Sequence, residues 1–322
     1  MPAERQPPRV GYWLSSEEHP APTLVANAAA AEAAGFRTAM LSDHFHPWTP
    51  TQGQSPFAWA VLGAIAGATT ELEVGTGVSA AVHRLHPAIL AQAAATVATL
   101  MPGRFFLGLG SGERLNEHIT GERWPGAGER RDMLAEVVEI LRALWAGKNV
   151  NHRGEHFTVE NARLFSLPVE LPKLFVASSG SRSAALAGEI ADGMISVAPD
   201  AKLVETFEGA GGAGKPRLGQ LHVCVAPDED EARRTALRWW PNGGIGGAAL
   251  TDLARPEDFA ALAGPLDADD LEGVLFGNDP DRHLDAIRRY VGAGFDSVYV
   301  HQIGPDQRGF LDLYRDHVLP RL

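Results

Sequence analysis

Short apolar runs alternate with longer amphipathic segments along the chain. The apolar run RVGYWL at 9–14 is followed by an Ala-rich segment at 22–34 and a second apolar run at 37–41. A strand, then a helix, then a strand is the pattern of βα units in a parallel sheet. This order recurs throughout: strands are predicted at 9–14, 37–41, 71–76, 104–110, 173–178, 192–198, 218–226 and 296–302, and helices at 22–34, 57–69, 87–100, 129–146, 181–190 and 280–292.

Eight predicted strands, mostly followed by helices, favour a closed α/β barrel, the (β/α)8 TIM barrel, over an open sheet. Two segments interrupt the alternation. The polar segment at 147–172 is predicted to form a hairpin excursion. The Gly-rich and acidic segment at 240–272 is too long for a simple loop, so we expect short helices that cover the mouth of the barrel. Residues 1–322 are therefore expected to form one domain with two insertions, and the glycines at 209–214 a flexible surface loop.

Composition narrows the possible partners. The chain has 40 acidic and 28 basic residues and a formal charge of -12, which disfavours nucleic-acid binding. Its one cysteine, Cys224, lies in an apolar run, so we expect a buried strand residue and no disulfide framework. The N-terminal MPAERQPP lacks a signal-peptide pattern, and no apolar run approaches the ~18 residues of a membrane span. A cytoplasmic protein without a membrane partner is expected.

The segment SDHFHPW follows the second predicted strand, and in α/β barrels the chemistry lies where the strands end. Asp43 precedes His44, and a carboxylate beside an imidazole can orient it and raise its basicity. Trp48 could exclude water from a pocket, although a core tryptophan beside a structural histidine explains the segment too. His44 and His46 could also be metal ligands. That alternative needs histidines after the fifth and sixth strands, where the sequence has SSGS and SVAPD.

Three further strand ends carry small or polar residues. Gly77 and Val78 follow the third strand, where a flat ring could approach the backbone. The GLGSGE run after the fourth strand lacks the spacing of a dinucleotide-binding fingerprint. Glu113 is then either a carboxylate at the mouth of the barrel or an acidic residue that favours the N-terminus of a helix. The SSGSRS run at 178–183 opens a helix after the fifth strand. Its amides, hydroxyls and Arg182 suit a phosphate, although serine N-capping explains the hydroxyls as well.

Taken together, SDHFHPW, GTGV, FLGLGSGERLNE, ASSGS and PDQRGFLDLY resemble a known family along nearly the whole chain. They are similar to the deazaflavin-dependent dehydrogenases related to F420-dependent glucose-6-phosphate dehydrogenase, in the luciferase-like superfamily. The resemblance implies a luciferase-like TIM barrel, coenzyme F420 as cofactor, a small-molecule substrate and a homodimer. It implies an oxidoreductase that acts on an alcohol or carbonyl group.

The same resemblance implies a role for each matching residue. His44 would take the hydroxyl proton of an alcohol, and Glu113 would be the second proton-transfer group. Trp48 would bound the substrate side of the deazaflavin, and Glu17 would be a substrate-side carboxylate. Gly77-Val78 would contain a non-proline cis peptide bond, and no metal is implied. The residues implied to bind the cofactor are Asp43, Gly77, Val78, Ser111, Gly112, Asn116, Ser179, Gly180, Arg182 and Ser183.

The sequence departs from the sugar-phosphate enzymes where they bind the substrate phosphate. Asp200 stands where the family has a lysine, and Glu272 and Gly273 stand where Lys and Arg are expected. An acidic replacement repels a phosphate dianion, so we expect an uncharged substrate and not glucose-6-phosphate. Lys202 would have to bend back to restore phosphate binding. Trp239 and Trp240 either shape the pocket or pack an amphipathic helix.

Three hypotheses follow. The first is an F420-dependent oxidoreductase with His44 and Glu113 in proton transfer. The second is an FMN-dependent luciferase-like monooxygenase, which has less need of such an acid and base pair. The third is a metal hydrolase or a binding barrel without catalysis.

Overall fold

The structure is a computed structural model that describes residues 8–322. The prediction about a signal peptide falls largely on residues 1–7, outside the described part. The strands are β1 (Arg9–Leu14), β2 (Thr38–Leu41), β3 (Glu73–Thr76), β4 (Ser79–Ala80), β5 (Phe105–Gly110), β6 (Val150–Arg153), β7 (Thr158–Ala162), β8 (Lys173–Ala177), β9 (Gly193–Ser196), β10 (Arg217–Cys224), β11 (Val274–Phe276) and β12 (Ser297–Gln302). The α-helices are α1 (Ala21–Ala33), α2 (Ala58–Ala68), α3 (Pro87–Leu100), α4 (Arg114–Glu117), α5 (Ala127–Trp145), α6 (Ser181–Ile190), α7 (Ala201–Phe207), α8 (Glu229–Trp239), α9 (Ala249–Asp252), α10 (Pro256–Ala263), α11 (Pro280–Gly292) and α12 (Gln307–Leu313).

Eight strands form a closed parallel barrel. Along the sheet the order is β10, β12, β1, β2, β3, β5, β8 and β9, and pairing of β9 with β10 closes it. The predicted (β/α)8 barrel is confirmed, and each of its strands overlaps a predicted one. The short strands β4 and β11 were not predicted; they pair with β5 and β10.

Large side chains from seven of the eight barrel strands fill the barrel. Because alternate residues of a strand face opposite sides of the sheet, one set points inward and the other packs against the helices. The inner cluster consists of Trp13, Met40, Phe106, Phe175, Ile195, Leu218 and Tyr299. A larger apolar cluster lies between the barrel and the helices. Cys224 is buried as predicted, in a separate smaller cluster with Trp240 and Phe276.

The glycines of β5 make room for the neighbouring chain. A Cβ on Gly108 would collide with the carbonyl oxygen of Thr76, and a Cβ on Gly110 would lie 2.6 Å from Cγ2 of Val78. Thr76 also accepts a hydrogen bond at Oγ1 from the Gly108 amide, at 3.0 Å. The FLGLG run therefore lets the segment after β3 lie against β5.

The interrupting segments have the predicted kinds of structure. Residues 147–172 contain the antiparallel hairpin β6–β7, and residues 240–272 contain the short helices α9 and α10 with 3-10 turns. The prediction of a flexible loop at 209–214 is wrong. The π-helical turn Glu208–Gly212 continues α7, and a Cβ on Gly212 would lie 2.6 Å from the Phe207 ring, so close packing explains this glycine.

Candidate active site at the carboxyl ends of the barrel strands

His44, directly after β2, lies between a carbonyl and a carboxylate. Its Nδ1 is 3.1 Å from the carbonyl oxygen of His46 and its Nε2 is 3.4 Å from Oε1 of Glu17. A carbonyl oxygen only accepts, so Nδ1 must carry the hydrogen. In the neutral ring Nε2 then holds the lone pair, which can accept a proton. Once protonated, this nitrogen faces the negative charge of Glu17.

Glu17 is a buried carboxylate held by hydroxyl groups. Its Oε2 accepts hydrogen bonds from Ser42 at 2.5 Å and from Ser15 at 3.1 Å. Burial alone would raise the pKa of Glu17, but the His44 charge, the Ser42 hydroxyl and its own backbone amide outweigh burial and lower the pKa below its ordinary value. Glu17 therefore stays ionised beside His44.

Trp48 contacts both His44 and the insertion at 240–272. Its ring centroid is 5.0 Å from that of His44 and 5.3 Å from that of Phe259, on α10. The insertion at 240–272 thus contacts the predicted substrate side of the site. Trp239 and Trp240 pack in the same apolar cluster as Trp48.

Asn116 joins the two strand ends that carry the predicted proton-transfer residues. Its Oδ1 accepts hydrogen bonds from the amides of Phe45 at 2.9 Å and His46 at 3.2 Å. Its Nδ2 donates to Oε2 of Glu113 at 3.4 Å. One buried side chain therefore holds the loop of His44 and the carboxylate of Glu113 in a fixed relation.

A buried ion network, not anticipated from the sequence, supports Asp43. Its Oδ2 accepts from Ser79 Oγ at 2.6 Å, and its Oδ1 lies 3.0 Å from Nη2 of Arg84. The Glu117 carboxylate accepts from the backbone amides of His83 and Arg84. Burial raises the pKa of Glu117 in spite of these hydrogen bonds and the Arg84 charge. Arg84 lies in no motif, so only the fold reveals its contact with Asp43.

The peptide bond between Gly77 and Val78 is cis, as the resemblance implied. A Cβ on Gly77 would lie 2.6 Å from the Trp13 ring, so the bulge after β3 packs against the inner cluster. Val78 in turn contacts that cluster.

A cationic cleft of about 1070 Å³ runs from the end of β5 to the start of α6. Three of the predicted cofactor-binding residues, Ser111, Ser179 and Ser183, line it, and Gly180 lies between two of them. Arg182 is exposed and does not line the cleft. The cations that do, which sequence inspection missed, are Arg114, Arg123, Arg130 and Arg131. Two acidic residues, Glu122 and Asp252, line it as well, so arginines outnumber carboxylates by four to two. In a chain of charge -12, this local excess of positive charge suits an anionic ligand.

The two histidines of the SDHFHPW segment have different neighbours. His46 directs its Nδ1 at the carbonyl oxygen of Leu115, 2.9 Å away, and its ring stacks on His118.

Residues 8–322 contain no group of three or more His, Cys, Asp or Glu side chains placed to hold a metal ion. In the same part of the chain, no helix has the length and apolar character to cross a membrane.

A parallel barrel whose strand ends carry this set of acids, histidines and small residues is the luciferase-like type of α/β barrel. The family model for luciferase-like monooxygenases matches residues 6–297. The chain therefore belongs to the luciferase-like monooxygenase family.

Its relatives confirm the predicted resemblance. The F420-dependent hydroxymycolic acid dehydrogenase of Mycobacterium tuberculosis is 37% identical over 97% of this chain and 88% of its own. The F420-dependent glucose-6-phosphate dehydrogenase of Microbacterium testaceum is 34% identical over 98% of both. A solved F420-dependent secondary alcohol dehydrogenase, in complex with an F420-acetone adduct, has a TM-score of 0.91 at 28% identity, covering 98% of this chain and 99% of that one.

Proposed function

We propose that this protein is a coenzyme F420-dependent oxidoreductase that transfers a hydride between the deazaflavin and a small, uncharged alcohol or carbonyl compound. The observation that carries the proposal is the Asn116 bridge, which holds the His44 loop and Glu113 together. A relative at 37% identity and a structural neighbour at 28% identity are both named F420-dependent dehydrogenases.

The residues present fit this cofactor. The cleft is lined by serines from two strand ends and by four arginines, which suits the phosphate and tail of F420. Its volume is at the upper end of the usual range for cofactor sites. The backbone bulge at Gly77-Val78 would lie behind the ring. The other predicted cofactor contacts, from Asp43, Gly112, Asn116, Gly180 and Arg182, are proposed on the same basis.

The bound cofactor would supply a two-electron hydride acceptor or donor. An alcohol carbon can release hydride only as its hydroxyl proton leaves. His44 accepts this proton at Nε2, and Glu17, 3.4 Å away, stabilises the imidazolium that results. Glu113 holds or moves the proton on the cofactor side. Trp48, packed between His44 and Phe259, keeps water from the reacting groups.

Titration of the purified protein with oxidised F420, and separately with FMN, tests the proposal through the fluorescence of each. Micromolar binding of F420 with weak or no binding of FMN is expected, followed by F420 reduction in a screen of secondary alcohols. Preference for FMN would instead place the protein with the monooxygenases and remove the proposed roles of His44 and Glu113.

Glucose-6-phosphate should neither react nor compete with the alcohol substrate. Asp200 caps α7 by accepting a hydrogen bond from the Lys202 amide at 2.8 Å, and Lys202 is exposed. Glu272 is also exposed, so no cation from these positions is fixed for a phosphate. Steady-state assays with glucose-6-phosphate as substrate and as inhibitor check this. Turnover similar to that with the best alcohol would contradict the proposed substrate class.

The assembly and location belong to the same proposal. We propose that residues 1–322 act as one domain with insertions at about 147–172 and 240–272, and that the enzyme is a cytoplasmic homodimer. Light scattering coupled to size-exclusion chromatography tests the dimer.

A further inference from the structure

A second group of polar side chains lies at the barrel mouth, outside the set that the sequence predicted. Oε2 of Glu18 is 2.6 Å from Nε2 of His301, and Nδ1 of His301 is 2.9 Å from Nδ1 of His222. Glu18 follows β1, His301 lies in β12 and His222 in β10. We call this set the Glu18–His301–His222 chain.

The two histidines point into the barrel near the carboxyl ends of their strands. Leu218 in β10 and Tyr299 in β12 belong to the inner cluster. His222 lies four residues beyond Leu218 and His301 two beyond Tyr299, so alternation places both rings on the inner side. His222 and His301 are also direct neighbours in the register of the two strands.

With His301 neutral, the hydrogen bonds determine which nitrogen of His222 carries its lone pair. The Gly304 amide donates to Oε1 of Glu18 at 2.9 Å, and the carboxylate accepts at Oε2 from Nε2 of His301. Neutral His301 then has its lone pair on Nδ1, which accepts from Nδ1 of His222. The remaining nitrogen of His222, Nε2, is therefore an acceptor.

This nitrogen has no hydrogen-bond partner among residues 8–322, and the His222 ring is partly exposed. His283 shows what a purely structural histidine looks like here. It is fully buried, with Nδ1 on the Tyr314 hydroxyl and Nε2 on the Gly277 carbonyl, both at 3.0 Å. The contrast indicates that Nε2 of His222 is left for a ligand.

The surroundings keep His222 uncharged and fixed. Burial lowers the pKa of His222 to about 3. The ring centroid of Trp240 lies 5.4 Å from that of His222 and 4.5 Å from that of His301. The unprotonated nitrogen of a neutral imidazole accepts a hydrogen bond from a hydroxyl group but has no hydrogen to donate to an anionic group.

The Glu18–His301–His222 chain adjoins the proposed active site. Glu18 is the next residue in the chain after Glu17, the carboxylate beside His44. Trp48, whose ring contacts His44, packs in the same apolar cluster as Trp240. A small substrate next to His44 would thus find His222 on the adjoining wall.

We infer that His222 is a specificity-determining residue whose Nε2 accepts a hydrogen bond from a hydroxyl group of an uncharged substrate. Glu18 acts through His301 as a positioning residue, because it determines which nitrogen of His222 is the acceptor. This inference deepens the proposed function and rests on it for the reaction, but it concerns substrate binding and can be tested without turnover.

Kinetics of three variants test the inference, with 2-propanol and F420 as the probes. His222→Asn keeps an amide nitrogen near the position of Nδ1 and removes Nε2. Loss of one net hydrogen bond should raise KM for 2-propanol about 3- to 10-fold while the Kd for F420 is unchanged. Glu18→Gln should raise KM in the same direction, and the double variant should be no worse than His222→Asn alone. An unchanged KM in folded His222→Asn would overturn the inference; if that variant does not fold, His222→Ala, which also removes Nε2, replaces it.

His283→Gln is the matched control, because it alters a buried histidine distant from the barrel mouth. It should lower the unfolding temperature without changing KM. A KM increase as large as that of His222→Asn would show that the kinetic effect is only structural and would also overturn the inference.

The nitrogen-15 NMR resonances of His222 provide the readout that is independent of turnover. At neutral pH we expect an unprotonated Nε2 whose resonance shifts on addition of 2-propanol, with or without F420, and a redistribution of the ring proton in Glu18→Gln. A protonated Nε2, or one unaffected by the alcohol, would overturn the inference. Failure of F420 binding or alcohol turnover in the wild type would contradict the proposed function alone.

Discussion

The two histidines of the SDHFHPW segment have different surroundings although they lie two positions apart. His44 directs Nε2 towards Glu17, whereas His46 directs Nδ1 to the Leu115 carbonyl and stacks on His118. The sequence left both as possible metal ligands and made only His44 the candidate base. Both rings direct Nδ1 at a carbonyl oxygen, and the structure places a carboxylate, that of Glu17, beside Nε2 of His44.

Replacing His44 by Ala should therefore lower kcat for alcohol oxidation by about 10²- to 10⁴-fold, the usual contribution of a general base. The Kd for F420 should change little, because the lost group faces the substrate. Stopped-flow measurement of F420 reduction checks the first expectation and fluorescence titration the second. His46→Ala is the matched control and should keep oxidation within a few-fold of wild type. Equal turnover in the two variants would remove His44 from the mechanism.

At the scale of elements, the strands and helices follow the hydrophobic pattern closely. The helix predicted at 181–190 is α6 (Ser181–Ile190), and the strand predicted at 9–14 is β1. The prediction failed at one glycine-rich segment, 209–214, because glycine serves both flexible loops and close packing. A loop was predicted there, yet the segment lies against α6, where a Cβ on Gly188 would be 3.0 Å from Cβ of Ala210.

Substituting Gly108 in β5 by Ala should destabilise the barrel by about 1–3 kcal/mol, because the added Cβ would collide with the Thr76 carbonyl. Urea unfolding measures the change. Gly67→Ala in α2 is the control, since its Cβ would meet nothing within 4 Å. That variant should be about 0.5–1 kcal/mol more stable, as alanine favours helix. Equal stability of the two variants would mean that β5 can move away from β3.

At the scale of the whole molecule, the charge distribution is uneven. The protein is acidic overall, yet four arginines line the cleft beside the predicted phosphate-binding residues. Three of these, Arg114, Arg130 and Arg131, form no ion pair within residues 8–322, whereas Arg123 pairs with Glu129 at 2.5 Å. Arg130 donates instead to the carbonyl oxygen of Pro125. Unpaired cations in a cleft attract an anionic ligand, and salt screens that attraction.

F420 should accordingly bind less tightly as salt rises, with a Kd increase of about tenfold between about 50 and about 500 mM NaCl. The double variant Arg114→Ala/Arg131→Ala should bind more weakly at low salt and respond less to salt. Arg308→Ala changes an exposed arginine on α12 and should behave as wild type. A salt dependence unaffected by the double variant would mean that the tail of F420 does not occupy this cleft.

Stability should fall in mild acid because three histidines, two buried and one partly buried, are held neutral. Burial lowers the pKa of His222 to about 3 and lowers the pKa of His19 and His283. The unfolded chain therefore binds more protons than the folded one below pH 6.5. Each such histidine costs at most about 1.4 kcal/mol per pH unit as pH falls from about 6.5 to about 4.5. Glu117, whose pKa burial raises, acts in the opposite sense.

Urea unfolding between pH 4.5 and 7.5 measures this slope. The free energy of unfolding should fall towards acid, and more gently in His222→Asn than in wild type. A free energy that stays constant or rises as pH falls would show that these histidines bind protons in the folded state.

The sequence by itself determined the barrel, because alternating βα units bury their apolar faces economically only in a parallel sheet with helices outside it. It also located the strand ends that carry His44, Glu113 and the cis Gly77-Val78, through short motifs with specific residue types. Only the tertiary structure revealed the Asn116 bridge, the Arg84 contact with Asp43 and the Glu18–His301–His222 chain. Glu18 and His301 are 283 positions apart in the chain. Such a contact exists because closure of the barrel brings the last strand beside the first, and no local pattern records that pairing.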